Sequence, residues 1–137
     1  MHRQTYKNNK NMKQKDKELL LRDLSARLPY GVMCNIGLPL PLQLQRIFVD
    51  KVDGILLDFY ENGKDYQVYL SEVKPYLRPM SSMTEEERKE YEATCSDWYE
   101  TLETYDWLNA HQFDYRGLIP MNLALETPKG MYNLNGK

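Results

Sequence analysis

The spacing of apolar residues predicts a helix near the beginning of the chain. Within residues 16–28 the leucines recur at three- and four-residue spacings, which gives a helix one apolar face. The charged Arg22, Asp23 and Arg27 are expected on the opposite face. Pro29 ends the helix, because a proline disfavours helical geometry in the residue before it. The leucines of the apolar face are Leu20, Leu21, Leu24 and Leu28.

Residues 30–73 have the composition of an antiparallel meander. Short apolar runs are separated by turn-forming residues, and Asn62-Gly63 is a strong local signal for a two-residue hairpin. A helix followed by such a meander is typical of a small, strongly bent sheet or an SH3/Sm-like barrel. The predicted strands are residues 30–36, a segment around Ile47 and Val49, residues 55–60 and residues 66–73.

The segment GLPLPLQLQ, residues 37–45, alternates leucine with proline or glutamine. A period of two predicts an extended segment with one apolar face. Pro39 and Pro41 exclude a central strand, because a proline cannot donate a ladder hydrogen bond, so an edge or a covering loop is expected. A proline-rich ligand for a recognition domain is the alternative, although the prolines lack the usual two-residue gap. The apolar face consists of Leu38, Leu40, Leu42 and Leu44.

A second helix is predicted to start at Glu85, where Thr84 and Glu87 have the spacing of a capping box. An apolar stripe with spacings of four and three follows, and we expect it to pack on the sheet. The stripe covers about two heptads, fewer than a coiled coil needs, so a monomer or weak dimer is expected. Alternatively, Thr101 or Thr104 breaks the segment and caps a short helix near residues 105–112. The stripe consists of Tyr91, Cys95, Trp98, Leu102 and Tyr105.

The predicted fold class is α+β, with an N-terminal helix, a small antiparallel meander, C-terminal helices and a short final strand. Asp114 is expected to cap a single turn, Asn122 suits a left-handed position, and residues 123–126 can add the final strand. A single domain is predicted over residues 16–132. It is flanked by a disordered basic tail, residues 1–15, and by a frayed end, residues 133–137.

Charge is distributed unevenly although the net charge is only −2. Residues 1–27 carry a net charge of +5, and residues 81–137 carry −6. No apolar run approaches the ~20 residues of a membrane span, and no signal peptide is seen, so a cytoplasmic protein without a membrane partner is expected. Two cysteines, Cys34 and Cys95, are too few for a disulfide framework, and both are expected to be buried free thiols.

The segment WLNAHQFDYRGLI, residues 107–119, sets side chains typical of catalytic or binding sites among apolar residues. Its candidate interaction surface consists of His111, Asp114, Tyr115 and Arg116. No serine or cysteine stands near His111 as a nucleophile, so a structural role or a binding surface is favoured over catalysis. His2 and His111 are the only histidines, and the glycines form no phosphate-binding motif, so no metal, cofactor or enzymatic activity is expected.

Nucleic acid is the second partner class to consider, because small barrels bind single strands with exposed aromatic residues beside a basic groove. The meander carries four tyrosines but few cations, so its affinity for nucleic acid is expected to be weak. The tyrosines are Tyr60, Tyr66, Tyr69 and Tyr76, and the cations are Lys51, Lys64, Lys74 and Arg78.

Three stretches of the chain together resemble a family of small uncharacterised proteins of gut anaerobic bacteria, often encoded among phage and mobile-element genes. They are LSARLPYGV, VKPYLRPMSSMTEEE and DWLNAHQFDYRGLIPMNLALE, and the resemblance covers residues 17–132. Family members often have a second histidine at Gln112 and a glycine at Asn122, so this chain lacks the paired histidines of a metal site. The resemblance implies a cytoplasmic accessory protein of a mobile element or its host and carries no activity, cofactor or binding residue.

These observations favour a non-enzymatic interaction protein whose partner is another protein. A tyrosine-rich chain with separated positive and negative segments is suited to protein partners. The alternative is a nucleic-acid-binding regulator that uses the face of a small β-barrel.

Overall fold

A computed structural model describes residues 2–3, 12–52 and 54–132 of the chain. The chain divides into a first unit, residues 1–75, and a second unit, residues 76–137. In the predicted tail, His2–Arg3 form strand β1, and residues 1 and 4–11 lie outside the described residues. The predicted frayed end, residues 133–137, also lies outside them, so disorder at both termini stays a prediction.

The predicted first helix is present as α1, Gln14–Arg27. Pro29 lies in a single 3₁₀ turn, Leu28–Tyr30, directly after the helix. Gly31 then takes a left-handed φ of 71° and turns the chain toward the sheet. The start and stop signals in the sequence therefore located this helix to within two residues.

Six strands of the described residues form a curled, mostly antiparallel half-barrel sheet. Along the sheet their order is β1-β5-β4-β3-β2-β6, and among these six the short pairing of β1 with β5 is parallel. A seventh short strand, β7 (Leu125–Glu126), follows β6 in the sheet and is also parallel to its neighbour. The predicted antiparallel meander is thereby confirmed. The strands after β1 are β2 (Met33–Asn35), β3 (Leu42–Asp50), β4 (Gly54–Glu61), β5 (Lys64–Tyr69) and β6 (Lys74–Leu77).

The hairpin between β4 and β5 is the one that the sequence predicted. Glu61 lies opposite Lys64, and the two residues between them both have positive φ, 52° for Asn62 and 81° for Gly63. Positive φ at both central positions defines the type I′ turn, whose twist matches that of the flanking strands.

Two expectations about residues 37–45 were wrong in part: the single apolar face, and the edge or covering loop, because residues 42–45 belong to β3, which pairs with both β2 and β4. The alternating leucines do not form one apolar face, because the strand begins only after Pro41. Leu42 and Leu44 are buried, whereas Leu40 is exposed. Pro75, farther along the chain, also lies in a strand: it belongs to β6 and lies opposite Cys34. That antiparallel ladder is two residues long, so the missing proline donor costs little.

The core of the first unit consists of buried apolar side chains from α1, from the strands and from the segments that connect them. Leu20 and Leu24 of the helix are fully buried, as their helical spacing predicted, whereas Leu21 and Leu28 are half-buried. Apolar side chains from every strand after β1 up to β5 are also buried. The remaining members of this core are Val32, Cys34, Ile36, Leu42, Leu44, Leu56, Leu57, Phe59, Val68, Leu70 and Val73.

The second unit contains helices α2 (Glu85–Thr94) and α3 (Leu102–Ala110) and strand β7 (Leu125–Glu126). β7 pairs in parallel with Tyr76 and Leu77. The apolar stripe predicted to run along one helix is interrupted, because α2 ends at Thr94. The alternative, a separate helix capped by Thr101, is confirmed. The α+β class, with an N-terminal helix, a bent sheet and C-terminal helices, is thus the observed architecture.

Candidate functional site

His111 follows the last residue of α3, and its imidazole stacks on the Trp107 indole with ring centroids 4.0 Å apart. Its Nδ1 atom lies 2.9 Å from the Trp107 carbonyl oxygen. A carbonyl only accepts, so Nδ1 donates in this hydrogen bond. Nε2 lies 3.9 Å from Oε1 of Glu90, which accepts from the Trp107 indole N–H at 3.2 Å. His111 is therefore held in a small histidine, tryptophan and glutamate cluster.

Asp114 acts as the cap that the sequence predicted. Its two carboxylate oxygens accept from the backbone N–H groups of Leu118 at 2.8 Å and Ile119 at 2.9 Å. The residue is buried. Since both oxygens bind the backbone of the following turn, this carboxylate holds the local fold.

Tyr115 and Arg116 lie beside another part of α3. The Tyr115 hydroxyl donates to Oδ1 of Asn109 at 2.9 Å, and its ring lies 5.2 Å from the ring of Tyr105. The Arg116 guanidinium lies over the Tyr115 ring at 4.8 Å, in cation–π geometry.

The four predicted surface residues do not form one cluster. His111 stacks on Trp107, whereas Tyr115 contacts Tyr105 and Asn109. Residues two apart on a helix point about 200° away from each other, so positions 105 and 107 are on nearly opposite faces. The structure thus places His111 on one face of α3 and Tyr115 on the other.

His111 also lines an open groove of about 950 Å³ in the second unit. Carboxylates outnumber cations in its lining, and Arg78 is held in place by three contacts. Its Nη2 donates to Glu87 at 2.8 Å, its Nη1 donates to the His111 carbonyl at 3.3 Å, and its guanidinium lies 4.2 Å over the Phe113 ring. The charged lining residues are Arg78, Glu85, Glu86, Glu87, Glu90, Glu126 and Lys129.

Three hydroxyl groups in this groove, those of Ser82, Thr84 and Tyr132, are engaged in local structure, whereas the buried Thr127 Oγ1 atom has no hydrogen-bond partner. Ser82 donates to the carbonyl of Pro79 at 2.6 Å, and Thr84 accepts from the backbone N–H of Glu87 at 3.0 Å. The hydrogen bond of His111 goes to a backbone carbonyl. A nucleophile must lie within hydrogen-bond reach of its base, so the described lining of this groove contains no assembled nucleophile and base.

The connection between α2 and α3 is a tight turn in which Ser96 and Tyr99 exchange two backbone hydrogen bonds, each 2.9 Å long. Asp97 has a φ of 55°, the positive value that two-residue hairpin turns require at their first central position. Trp98 occupies the second central position. The turn therefore places an indole at its outermost point.

Three large apolar side chains are exposed at this turn. Trp98 is 93% exposed, Leu102 84% and Tyr99 58%. Single exposed apolar residues are normal on protein surfaces, whereas neighbouring large ones mark contact sites. We call Trp98, Tyr99 and Leu102 the apolar tip.

Glu100 connects the two helices beneath the apolar tip. It accepts a hydrogen bond from the Tyr91 hydroxyl of α2 and another, at 3.3 Å, from the Tyr105 hydroxyl of α3. The hydrogen bond to Glu100, followed by burial and the negative charge, raises the pKa of Tyr91. The charge of Glu100 is also the main cause that raises the pKa of Tyr105. Both phenols therefore keep the protons that they donate.

A second set of hydrogen bonds fixes the end of α2 to the start of α3. The Thr101 and Thr104 hydroxyls donate to the Thr94 carbonyl at 3.0 Å and 2.9 Å. Thr101 also accepts from the Thr104 backbone N–H and so caps α3. The apolar tip is consequently carried by a turn that is hydrogen-bonded on both sides.

The surroundings of the apolar tip are strongly acidic. Residues 90–106 contain six carboxylates and no lysine or arginine. All six belong to residues classed as exposed. They are Glu90, Glu92, Asp97, Glu100, Glu103 and Asp106.

Sequence reasoning missed the apolar tip because it assigned Trp98 and Leu102 to a buried helical stripe. The signals that locate the break are local. Thr101 with Thr104 has N-capping spacing, and Asp97 is a residue that tolerates positive φ. Both signals lie inside the segment that was predicted to be one continuous helix.

The sheet face considered for nucleic acid shows one well exposed tyrosine, Tyr60, at 56%. Tyr66 and Tyr69 are half-buried. The nearby cation Arg46 is paired with Asp58 at 3.0 Å and lies 4.6 Å over the Phe48 ring.

In residues 2–3, 12–52 and 54–132, no three histidine, cysteine or carboxylate side chains are grouped so that they could hold a metal ion. None of the helices in these residues has the length and hydropathy of a membrane span. No protein-family model matches the chain, and comparisons with curated proteins and with solved structures likewise found no match.

Proposed function

We propose that this chain is a non-enzymatic interaction protein, a cytoplasmic accessory protein of a mobile element or its host, that binds a protein partner through the apolar tip. The observation that carries the proposal is the 93% exposure of Trp98 on a hydrogen-bonded turn. The resemblance to mobile-element proteins supports the accessory role.

An exposed indole is suited to binding because it adds a large contact area with few rotatable bonds. Tryptophan and tyrosine are enriched among the residues that contribute most to protein interfaces. Full burial of a large apolar side chain contributes roughly 1.5–3 kcal/mol. The bonds of Glu100 and Thr94 hold the turn before a partner arrives, so less ordering entropy is lost on association.

The groove beside His111 supports the non-enzymatic part of the proposal. Ser82 and Thr84 serve as a turn bond and a cap, the Thr127 hydroxyl is hydrogen-bonded to no base, and Arg78 is committed to Glu87 and to the backbone. The earlier candidate surface at His111, Asp114, Tyr115 and Arg116 stays a prediction, and the proposal does not depend on it.

Site-specific photo-crosslinking in the cells that encode the chain tests this function. Benzoylphenylalanine is introduced at Trp98, and the matched control carries it at Tyr60, which is also exposed but lies on the sheet. We expect a discrete protein adduct from position 98 alone, unchanged by nuclease. The purified adduct partner should bind the wild-type chain and not the Trp98→Ala variant.

Three results would contradict the proposal. The two positions could give the same adducts, the position-98 adduct could be nucleic acid, or the purified partner could bind Trp98→Ala as tightly as wild type. Because Trp98 is almost fully exposed, its replacement is not expected to unfold the chain.

A further inference from the structure

We infer that the apolar tip fits a basic protein surface, one with an apolar pocket rimmed by lysine or arginine side chains. This inference rests on the proposed function and adds the chemical class of the partner. It depends on the charges around the tip, which are independent of the exposure of Trp98.

The first step is that the carboxylates around the tip are not neutralised locally. In the described part of the chain, Glu92, Asp97 and Glu103 form no ion pair, and residues 90–106 contain no cation. Like charges within a Debye length of about 8 Å reinforce one another at physiological salt. Arg116 supplies a positive charge that acts on Tyr105, but the six carboxylates of residues 90–106 outnumber it. The tip is therefore an apolar centre in a mainly negative field.

The second step concerns what such a surface can accept. Interfaces commonly have an apolar core and a polar rim, and complementary charge on the rim speeds association and excludes partners of like charge. A rim of carboxylates repels nucleic acid and acidic proteins. A pocket on the partner with lysine or arginine at its edge covers Trp98 and forms ion pairs with the carboxylates around the apolar tip.

The third step is that both components have fixed positions. Glu100 is held by the hydroxyls of Tyr91 on α2 and Tyr105 on α3, so its charge bridges the two helices next to the turn. Glu103 and Asp106 lie on α3 one turn apart, and both are exposed. Glu100 is thus held in place by hydrogen bonds, and the backbone of α3 sets the positions of Glu103 and Asp106.

The test uses two synthetic helical peptides as probes. Each has leucines on one face, and the other face carries lysines in one peptide and glutamates in the other. Binding of the fluorescein-labelled peptides to the full chain is followed by anisotropy. Trp98 emission is recorded in a Trp107→Phe background, where it is the only indole. We expect the lysine peptide to bind at least about tenfold more tightly than the glutamate peptide at low salt.

Charge-neutral variants distinguish the contribution of the surrounding carboxylates from that of the apolar tip itself. Glu103→Gln combined with Asp106→Asn should weaken lysine-peptide binding several-fold and reduce its salt dependence. The matched control is Glu85→Gln with Glu86→Gln, two exposed carboxylates at the other end of α2, and it should bind like wild type. Trp98→Ala should lose most of the binding to both peptides.

The outcomes distinguish the two proposals. If the glutamate peptide binds equally well, or if the rim variant behaves like its control, the basic-partner inference is overturned and binding through Trp98 stands. If Trp98→Ala binds the lysine peptide as tightly as wild type, the proposed function itself fails. If sedimentation shows dimers of the chain that dissociate in Trp98→Ala, the occupant is a second copy, and the inference is again overturned.

Discussion

At the scale of single residues, the buried ion pair of α1 is the feature that most departs from expectation. Arg27 and Asp23 are fully buried, with Arg27 Nε 2.8 Å from Asp23 Oδ2. They were expected on the solvent face. Arg27 lies seven residues after Leu20, about 20° away around the helix axis, so both charges share the buried face.

This pair is expected to be essential for stability. Removing one partner leaves an uncompensated buried charge, so Arg27→Ala should lower the free energy of unfolding by about 3–5 kcal/mol. Urea denaturation measures the change. Arg22→Ala, an exposed arginine on the same helix, is the control and should change it by less than about 0.5 kcal/mol. Equal effects of the two substitutions would mean that the Asp23–Arg27 pair contributes nothing specific.

At the scale of elements, the start of α2 shows how a predicted cap gains a tertiary contact. Glu87 accepts from the Thr84 backbone N–H at 3.0 Å, as the capping box predicted, and also from Arg78 at 2.8 Å. Burial acts to raise the pKa of Glu87, but the Arg78 hydrogen bond, the Thr84 N–H and the arginine charge outweigh it. The pKa is therefore lowered.

A lowered pKa in the folded state makes the contribution of Glu87 dependent on pH. Folding favours the charged carboxylate, so its stabilisation is complete above the ordinary pKa of 4.5 and is lost as pH falls below it. Near neutral pH, Glu87→Gln should cost about 1–2 kcal/mol, the difference between a charged and a neutral hydrogen bond. The gap from wild type should shrink from about pH 6 to about pH 3.

Thermal unfolding over this pH range measures the gap. Glu86→Gln is the control, because it removes an exposed charge from the same helical turn. A gap for Glu87→Gln that stays constant with pH would show that the ionised form of Glu87 is not the stabilising one.

Element boundaries could be predicted where a residue acts on its own backbone. Pro29, Asn62-Gly63 and Thr84 end or begin their elements as expected, because their effects need no distant partner. The interruption between Thr94 and Leu102 was predicted only as an alternative. There, helical periodicity and capping signals compete, and the bonds to the Thr94 carbonyl favour the break.

At the scale of the whole molecule, the two cysteines lie in different units and differ in burial. Cys34 is fully buried in the first unit, and burial together with the charge of Asp23 raises its pKa. Cys95 lies in the second unit, is partly exposed, and its thiol donates to the Tyr91 carbonyl at 3.5 Å. Thiolate is the reactive form, so the two side chains should differ strongly in reactivity.

We expect native protein at about pH 8 to react with Ellman's reagent at Cys95 and not at Cys34. Cys95→Ser should therefore show almost no native reactivity, whereas Cys34→Ser should react like wild type. In denaturant, both variants should release one thiol equivalent. Fast reaction of the native Cys95→Ser variant would mean that the first unit opens readily.

The sequence alone determined those features that depend on local backbone chemistry and on periodicity. These are the α+β class, the first helix, the meander with its hairpin, and the caps formed by Thr84 and Asp114. Only the tertiary structure decided which faces are buried. Burial of Arg27 and exposure of Trp98 depend on what the rest of the fold places, or leaves out, next to each side chain. Residue type and spacing do not encode those neighbours, so the apolar tip became visible only once the chain was folded.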